Sequence, residues 1–198
     1  MRRKEVIALS AFFAVWVILM AWHTVVQAAD SVPAVEALDD VQVVSPADAE
    51  GKPKGMGDLI GRFHPALVHF PIAFLVGLAF VDFVGLVLKR SAWQAAGMVV
   101  LVGTMVSLLP AAATGLLRAA HMSTDTAEHA LLLTHRALNF SVAGLVSIAL
   151  AVRIIRRNRL EGAWRVIYLV LVFSATGLVL LAADYGGRMV YGPNYLPF

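Results

Sequence analysis

The chain has 198 residues, of which 60% are hydrophobic and 15% are charged, and its formal net charge is +3. With a mean hydropathy of +0.78, it is too apolar for a soluble domain of this length, so the composition predicts an integral membrane protein. The positive residues lie between apolar stretches, where they set membrane topology, which argues against nucleic acid as a partner. The lack of cysteine excludes disulfides, thiolate metal sites and covalently attached c-type haem.

Residues 1–29 have the pattern of a targeting segment. A basic start over residues 2–4 precedes an apolar core over residues 6–22, and small residues suited to signal peptidase follow at 26–28. A cleaved signal peptide and an uncleaved signal anchor both fit this pattern. Residues 30–61 are rich in Ala, Asp, Pro and Gly and have no sustained apolar period. They are predicted to form a flexible acidic periplasmic tether, with docking of a partner as the alternative use of its acidic residues.

The remainder, residues 62–198, is predicted to be an all-α domain, an integral membrane four-helix bundle. Its four apolar spans cover about residues 65–88, 95–117, 137–155 and 166–183. The short connections after the first and third spans are basic, with Lys89, Arg90, Arg153, Arg156, Arg157, Arg159 and Arg165. This bias places both connections in the cytoplasm of a bacterium. The protein is therefore expected to cross the inner membrane several times, with the tether and the C-terminus in the periplasm.

A short internal repeat supports the same topology. The residues His64-Pro65-Ala66-Leu67 lead to Ala92-Trp93, and His135-Arg136-Ala137-Leu138 lead to Ala163-Trp164 with identical spacing. Repeats of the same orientation imply a pseudo-two-fold axis along the membrane normal. The repeat therefore predicts that His64 and His135 face each other at equal depth, unless the match of these few residues is due to chance.

Histidines cluster at the outer ends of the predicted spans, at His64, His69, His121, His129 and His135. Because polar side chains are unfavourable in hydrocarbon, this one-sided cluster indicates a cofactor or metal site. Four of the histidines form the candidate ligand set: His64, His69, His129 and His135.

Haem b fits this set of candidate ligands, because a four-helix bundle can supply axial imidazoles from facing helices. We expect His69 and His135 as the ligands, with His64 and His135 as the competing pair. Small residues on the first two spans could leave room for the ring. Arg118 or Arg188 would pair with the haem propionates.

Two alternatives use the same histidines. A non-haem copper, iron or zinc site needs three or four of the imidazoles. A cofactor-free scaffold or anchor subunit would use them for hydrogen bonds between helices. The sequence shows neither a Ser-His-Asp arrangement typical of hydrolases nor a Gly-rich phosphate-binding loop. We therefore expect an electron carrier or a subunit rather than a stand-alone enzyme.

Asp82, deep in the first span, is expected to form an ion pair with Lys89 on the same helix face.

The motif His64-Pro65-x-x-Val68-His69-Phe70-Pro71-Ile72 resembles the bacterial membrane family called domain of unknown function 2231. The resemblance continues through Thr114-Gly115, His135-Arg136 and the Gly186-Gly187-x-x-Val190-Tyr191 end. It implies a four-helix membrane protein, and some members are joined to or found beside cytochrome or Rieske-type modules. It therefore implies a redox setting, in which a periplasmic cytochrome or Rieske-type protein is the expected partner. The assembly left open by the sequence is a homo-oligomer or a complex of which this chain is a subunit.

These observations together predict a membrane redox protein. We expect one b-type haem near the periplasmic face that passes electrons to or from a periplasmic carrier or a quinone.

Overall fold

The computed structural model describes residues 52–88, 90–121 and 126–192. All regular secondary structure in these residues is helical. Two short helices come first, α1 (Met56–Gly61) and α2 (His64–Leu67). Four long helices follow: α3 (His69–Leu88), α4 (Ser91–Ala119), α5 (Thr126–Ile155) and α6 (Ala163–Tyr191). The predicted leader over 1–29 and the tether as far as residue 51 lie outside the described residues.

Four helical segments are long and apolar enough to cross a membrane. They are Met56–Leu88, Ala92–Ala119, His129–Ile155 and Ala163–Tyr191. The all-helical, four-span prediction is therefore confirmed. Each segment extends beyond its predicted bounds, because the apolar pattern marks only the hydrocarbon-facing part of a helix. Backbone hydrogen bonds continue the helix into the more polar residues on either side.

The four long helices form a closed bundle. α3 packs along α4 and α5 along α6, and contacts of α4 with α5 and of α6 with α3 complete the ring. The short connections make neighbouring helices antiparallel. The fully buried core is mostly leucine and valine, and large apolar residues such as Phe80, Val106 and Phe140 are exposed on the outside. An apolar outer surface of this kind suits contact with lipid tails.

The two ends of the bundle differ in their polar residues. The histidine end carries His64, near the start of the first span, and His135, in the first half of α5. The loop end carries residues 89–90 and 156–162, which connect α3 to α4 and α5 to α6. These two names are used below for the two ends.

The first span is interrupted at Val68, between α2 and α3. Pro71 has no N–H to donate to the carbonyl of Leu67, so regular helical hydrogen bonding cannot continue through this turn. The interruption separates His64 and His69 into different helices. His64 is half-buried, whereas His69 is exposed.

The prediction of a flexible tether over 30–61 is wrong for its last six residues, which form α1. Asp58 in α1 is buried and accepts hydrogen bonds from the backbone N–H of Lys54 (3.0 Å) and from the Arg62 guanidinium (3.2 Å). α1 also packs against α4, where Gly61 lies against the backbone of Arg118. These contacts order a segment whose composition alone does not predict a helix.

The fourth long helix continues eight residues past residue 183, where its predicted span ends. α6 continues through Gly186 and Gly187 to Tyr191 and ends at Gly192, whose φ is 89°. Paired glycines often end helices in water. Here Gly186 lies against the His135 ring, so its lack of a side chain serves packing between helices.

Candidate functional site

His64 projects from the first residue of α2 toward α4. Its Nδ1 donates a hydrogen bond to the Ala111 carbonyl oxygen at 3.0 Å and lies 3.3 Å from Thr114 Oγ1. A carbonyl oxygen can only accept, so the proton of this ring is on Nδ1. Within the described part of the chain, the Nε2 of His64 has no hydrogen-bond partner.

His135 makes the same contact in the second half of the chain. Its Nδ1 donates to the Ala182 carbonyl oxygen of α6 at 2.8 Å. Its Nε2 accepts a hydrogen bond from Asn139 Nδ2 at 3.2 Å, and the same Asn139 nitrogen donates to the His135 carbonyl oxygen at 2.8 Å. Both imidazoles therefore carry a proton on Nδ1, and in their neutral form they present an unprotonated Nε2.

The two imidazoles meet inside the bundle. Their ring centroids lie 6.3 Å apart and their planes are at 88°. In each half, the histidine donates to a carbonyl 47 residues further along the chain. The structure thus confirms the prediction from the repeat that His64 and His135 face each other.

Two glycines make this arrangement possible. A Cβ atom on Gly115 would lie 2.7 Å from Cε1 of His64, and a Cβ atom on Gly186 would lie 3.2 Å from Cε1 of His135. Each glycine stands four residues after the carbonyl that its histidine binds, and thus about one helical turn away. Any side chain at these positions would push the imidazoles out of their present places.

The remaining histidines of the predicted cluster stand apart from this pair. His69 and His129 are exposed, and the structure does not bring either of them to His64 or His135. His121 is exposed as well and donates from Nδ1 to the Leu117 carbonyl of its own helix at 2.8 Å. Among the residues that the structure describes, no group of three or more His, Cys, Asp or Glu side chains is placed to hold a metal ion.

The two arginines predicted to pair with propionates lie at the histidine end, each close to an acid. Arg188 binds Asp184, with Nη2 and Nε at 2.8 and 2.9 Å from the same Oδ2 atom. Arg118 Nη1 lies 3.9 Å from Oδ1 of Asp58. About a third of each arginine side chain remains exposed, so both guanidinium groups are accessible from outside the bundle.

A second polar centre lies inside the bundle toward the loop end. Asp82 of α3 accepts a hydrogen bond from Arg153 Nη2 of α5 on Oδ1 and one from the Tyr168 hydroxyl of α6 on Oδ2, the latter at 2.7 Å. All three residues are buried. The predicted partner of Asp82, Lys89, lies outside the described residues, and within them both carboxylate oxygens of Asp82 are bound by Arg153 and Tyr168.

Further hydrogen bonds hold Arg153 in this centre. Its Nη1 donates to the Gln94 carbonyl oxygen and to Asn158 Oδ1, both at 2.7 Å, and its guanidinium carbon lies 4.4 Å from the centroid of the Tyr168 ring. A cavity of about 30 Å³ adjoins Asp82, Arg153 and Tyr168, which is room for about two water molecules. This centre was not predicted, although Arg153 follows Asp82 by 71 residues, the offset of the repeat.

A family model described as a predicted membrane protein, DUF2231, matches residues 62–194. The matched region begins just before His64 and runs beyond the end of α6, so it includes both repeats and both polar centres. No curated protein and no solved structure matches the chain. Because the matched region is more than half of the chain, the protein belongs to the DUF2231 family of predicted membrane proteins.

Proposed function

We propose that this chain is a membrane redox protein that binds one b-type haem between His64 and His135 and transfers electrons. The observation that carries the proposal is the contact of these two imidazoles inside the bundle, with ring centroids 6.3 Å apart. The proposal uses His64 in place of the His69 that the sequence favoured, since His69 is exposed whereas His64 is half-buried and meets His135.

The protonation of both rings suits metal ligation. A ligating histidine needs a free lone pair on one nitrogen and commonly donates its other ring N–H to a carbonyl oxygen. His64 and His135 each make that donation from Nδ1, to Ala111 and Ala182. Nε2 is therefore the ligating atom on both rings. On His135, the Asn139 amide would give up its bond to Nε2 and keep its bond to the His135 carbonyl.

The number of ligands favours haem over a bare metal ion. Zinc, copper and non-haem iron sites usually take three or four protein ligands, whereas a porphyrin supplies four nitrogens and leaves only the axial positions to the protein. Two imidazoles meet here, and no third His, Cys, Asp or Glu joins them in the described residues.

The other residues have defined parts in this proposal. Gly115 and Gly186 leave the room that the two imidazoles occupy, and the carbonyls of Ala111 and Ala182 fix the direction of the rings. Arg118 and Arg188 are placed to bind the propionates with their exposed guanidinium groups. Bound haem would supply a one-electron redox centre, exchanging electrons with a quinone or with a periplasmic cytochrome or Rieske-type protein.

The charge distribution suggests the orientation in the inner membrane. The loop end carries Arg156, Arg157, Arg159 and Arg165 in one short connection and is therefore proposed to face the cytoplasm. The histidine end would then lie near the periplasmic face.

A cofactor-free scaffold is the second candidate, and one observation favours it. Each histidine donates a hydrogen bond from its own helix to a neighbouring one, so the pair could serve only to hold α2 to α4 and α5 to α6. In that case the protein would be an anchor subunit whose histidines contribute stability.

The two candidates differ in a visible spectrum. Protein purified from haem-replete membranes should give a reduced-minus-oxidised haem spectrum, and His64→Ala or His135→Ala should abolish it. His69→Ala and His129→Ala are matched controls, because both side chains are exposed at the same end and should leave the spectrum intact.

A colourless preparation from haem-replete cells would overturn the haem proposal. So would a full spectrum that survives both single variants of the pair. Loss of helix content or of protein yield in His64→Ala and His135→Ala, with no chromophore in the parent protein, would support the scaffold. Elemental analysis on the same preparation separates haem iron from a metal ion bound without porphyrin.

A further inference from the structure

The connection between α5 and α6 has one defined conformation. Arg157 and Asn158 have φ values of 49° and 58°, in the left-handed region that few residues other than glycine adopt. The backbone N–H of Asn158 donates to the Arg153 carbonyl at 2.7 Å, and its side chain binds both Arg153 Nη1 and the Gln94 carbonyl. Buried Leu160 fixes the far side of the loop. The arginines on this loop therefore project from an ordered backbone.

Four arginines at the loop end have no acidic partner among the residues that the structure describes. Arg156, Arg157, Arg159 and Arg165, called the arginine loop below, form no ion pair with any carboxylate in the described residues. The only acid among them is Glu161, which is exposed. The histidine end is different, because Asp58 and Asp184 neutralise arginines there. The loop end therefore carries positive charge that no carboxylate in the described part of the chain compensates.

The side chains of the loop face a shared concave surface. Arg156, Arg157 and Arg159 line it together with Glu161 and Ile155. Arg156 is held in place with its guanidinium carbon 5.4 Å from the centroid of the Trp164 ring. Arg157 and Arg159 are exposed. Several guanidinium groups can thus reach one bound anion.

The surface is apolar on the side of the membrane span. Ile154 and Ile155, in the last turn of α5, are 60% and 73% exposed next to these arginines. A ligand that satisfies both parts of the surface has an anionic group for the guanidinium donors and a hydrocarbon chain for the isoleucines. Guanidinium groups bind phosphate oxygens with paired hydrogen bonds, and basic residues next to a span bind anionic lipid headgroups.

We propose that the arginine loop is a binding site for the phosphate of an anionic phospholipid, whose acyl chain lies along Ile154 and Ile155. The apolar contact distinguishes this ligand from free phosphate, which would use only the arginines. The site lies at the opposite end of the bundle from His64 and His135 and does not depend on a cofactor there.

Native mass spectrometry of the full chain in a neutral detergent tests the proposal. We expect phosphatidylglycerol to bind at least about tenfold more tightly than phosphatidylcholine. The double variant Arg157→Gln/Arg159→Gln should weaken phosphatidylglycerol binding by about 25-fold, at about fivefold for each charge removed near the surface. Arg136→Gln removes an exposed arginine from the other end of α5 and should leave the affinity unchanged.

Equal affinity for the two lipids would overturn the proposal, as would undiminished phosphatidylglycerol binding by the double variant. Competition by millimolar inorganic phosphate that removes the lipid completely would identify a free-phosphate site instead. Circular dichroism should show equal helix content in all variants, because Arg157 and Arg159 are exposed and their side chains form no hydrogen bond or ion pair with the residues that the structure describes. A second double variant, Ile154→Ser/Ile155→Ser, should weaken phosphatidylglycerol and phosphatidylcholine alike.

Discussion

Asp82 and Arg153 occupy equivalent positions in the two repeats, 71 residues apart, and bind each other across the bundle. His64 and His135 are related by the same offset and meet at the other end. The two contacts are separated by about 27 Å of helix length at ~1.5 Å per residue. Helices that are diagonal neighbours in the bundle are thus joined near both ends by side chains on the pseudo-two-fold axis.

The two contacts differ in whether their side chains keep a polar atom that is not bound within the described residues. Both oxygens of Asp82 and both terminal nitrogens of Arg153 are used within the protein. His64 keeps a free Nε2 in the described part of the chain. The Asp82 centre is therefore bonded throughout as a stabilising contact would be, whereas the histidine pair keeps the free ring nitrogen that the proposed haem site requires.

Removing one member of the buried ion pair should destabilise the bundle strongly. Asp82→Asn leaves the Arg153 charge buried without its partner, which should lower the free energy of unfolding by about 3–5 kcal/mol. Arg153→Gln should have an effect of similar size. The loss of unfolding free energy in the double variant should be smaller than the sum of the two single losses by at least about 2 kcal/mol, because no unpaired buried charge remains. Reversible unfolding in mixed micelles measures all three.

Asp184→Asn is the control for this cycle. Its partner Arg188 is about one third exposed, so solvent screens the pair and the loss should stay below about 1 kcal/mol. Additive effects of Asp82→Asn and Arg153→Gln would contradict this stabilising role, since they would mean that the two charges do not stabilise each other.

Gly97 should be intolerant of even a methyl group. A Cβ atom at this position would lie 2.5 Å from Oδ1 of Asp82 and 2.6 Å from Nη2 of Arg153. Gly97→Ala should therefore displace the ion pair and lower the free energy of unfolding by about 1–3 kcal/mol. Gly77→Ala is the matched control, because no atom lies within 4 Å of its added Cβ, and it should be neutral or stabilising. An equal response of the two variants in the same unfolding measurement would refute this role for Gly97.

Much of the architecture could be predicted because a bilayer permits only a few kinds of structure to cross it. Long apolar segments must be helical, and short basic connections determine which helices are neighbours. The facing of His64 and His135 was also predictable, because the repeat carries a histidine at the same place in both halves. A repeated position fixes depth and direction without any knowledge of side-chain packing.

The remaining features depend on packing that one sequence does not reveal. The helix break at Val68 decides that His64 points inward and His69 outward, yet both histidines belong to one short motif. The i+7 spacing of Asp82 and Lys89 drew attention to a local pair, whereas the partner that the described residues show, Arg153, comes from another helix and was not predicted. The paired glycines at Gly186 are typical of a helix end, but the helix continues through them, and the close contact of Gly186 with the His135 ring explains why a glycine stands there.

The glycines beside the two imidazoles should respond unequally to the same substitution. Gly115→Ala brings a Cβ atom to 2.7 Å from the His64 ring, which must move and weaken its bond to Ala111, whereas Gly186→Ala brings one to 3.2 Å from His135 and needs a smaller shift. The free energy of unfolding should fall by about 1–3 kcal/mol for Gly115→Ala and by less for Gly186→Ala. Gly177→Ala in the same helix as Gly186 meets open space and serves as the control. If the pair holds haem, the reduced-minus-oxidised spectrum should shift or weaken in the same order. A response of Gly177→Ala as large as that of Gly115→Ala would show that helix propensity, and not ring contact, governs these positions.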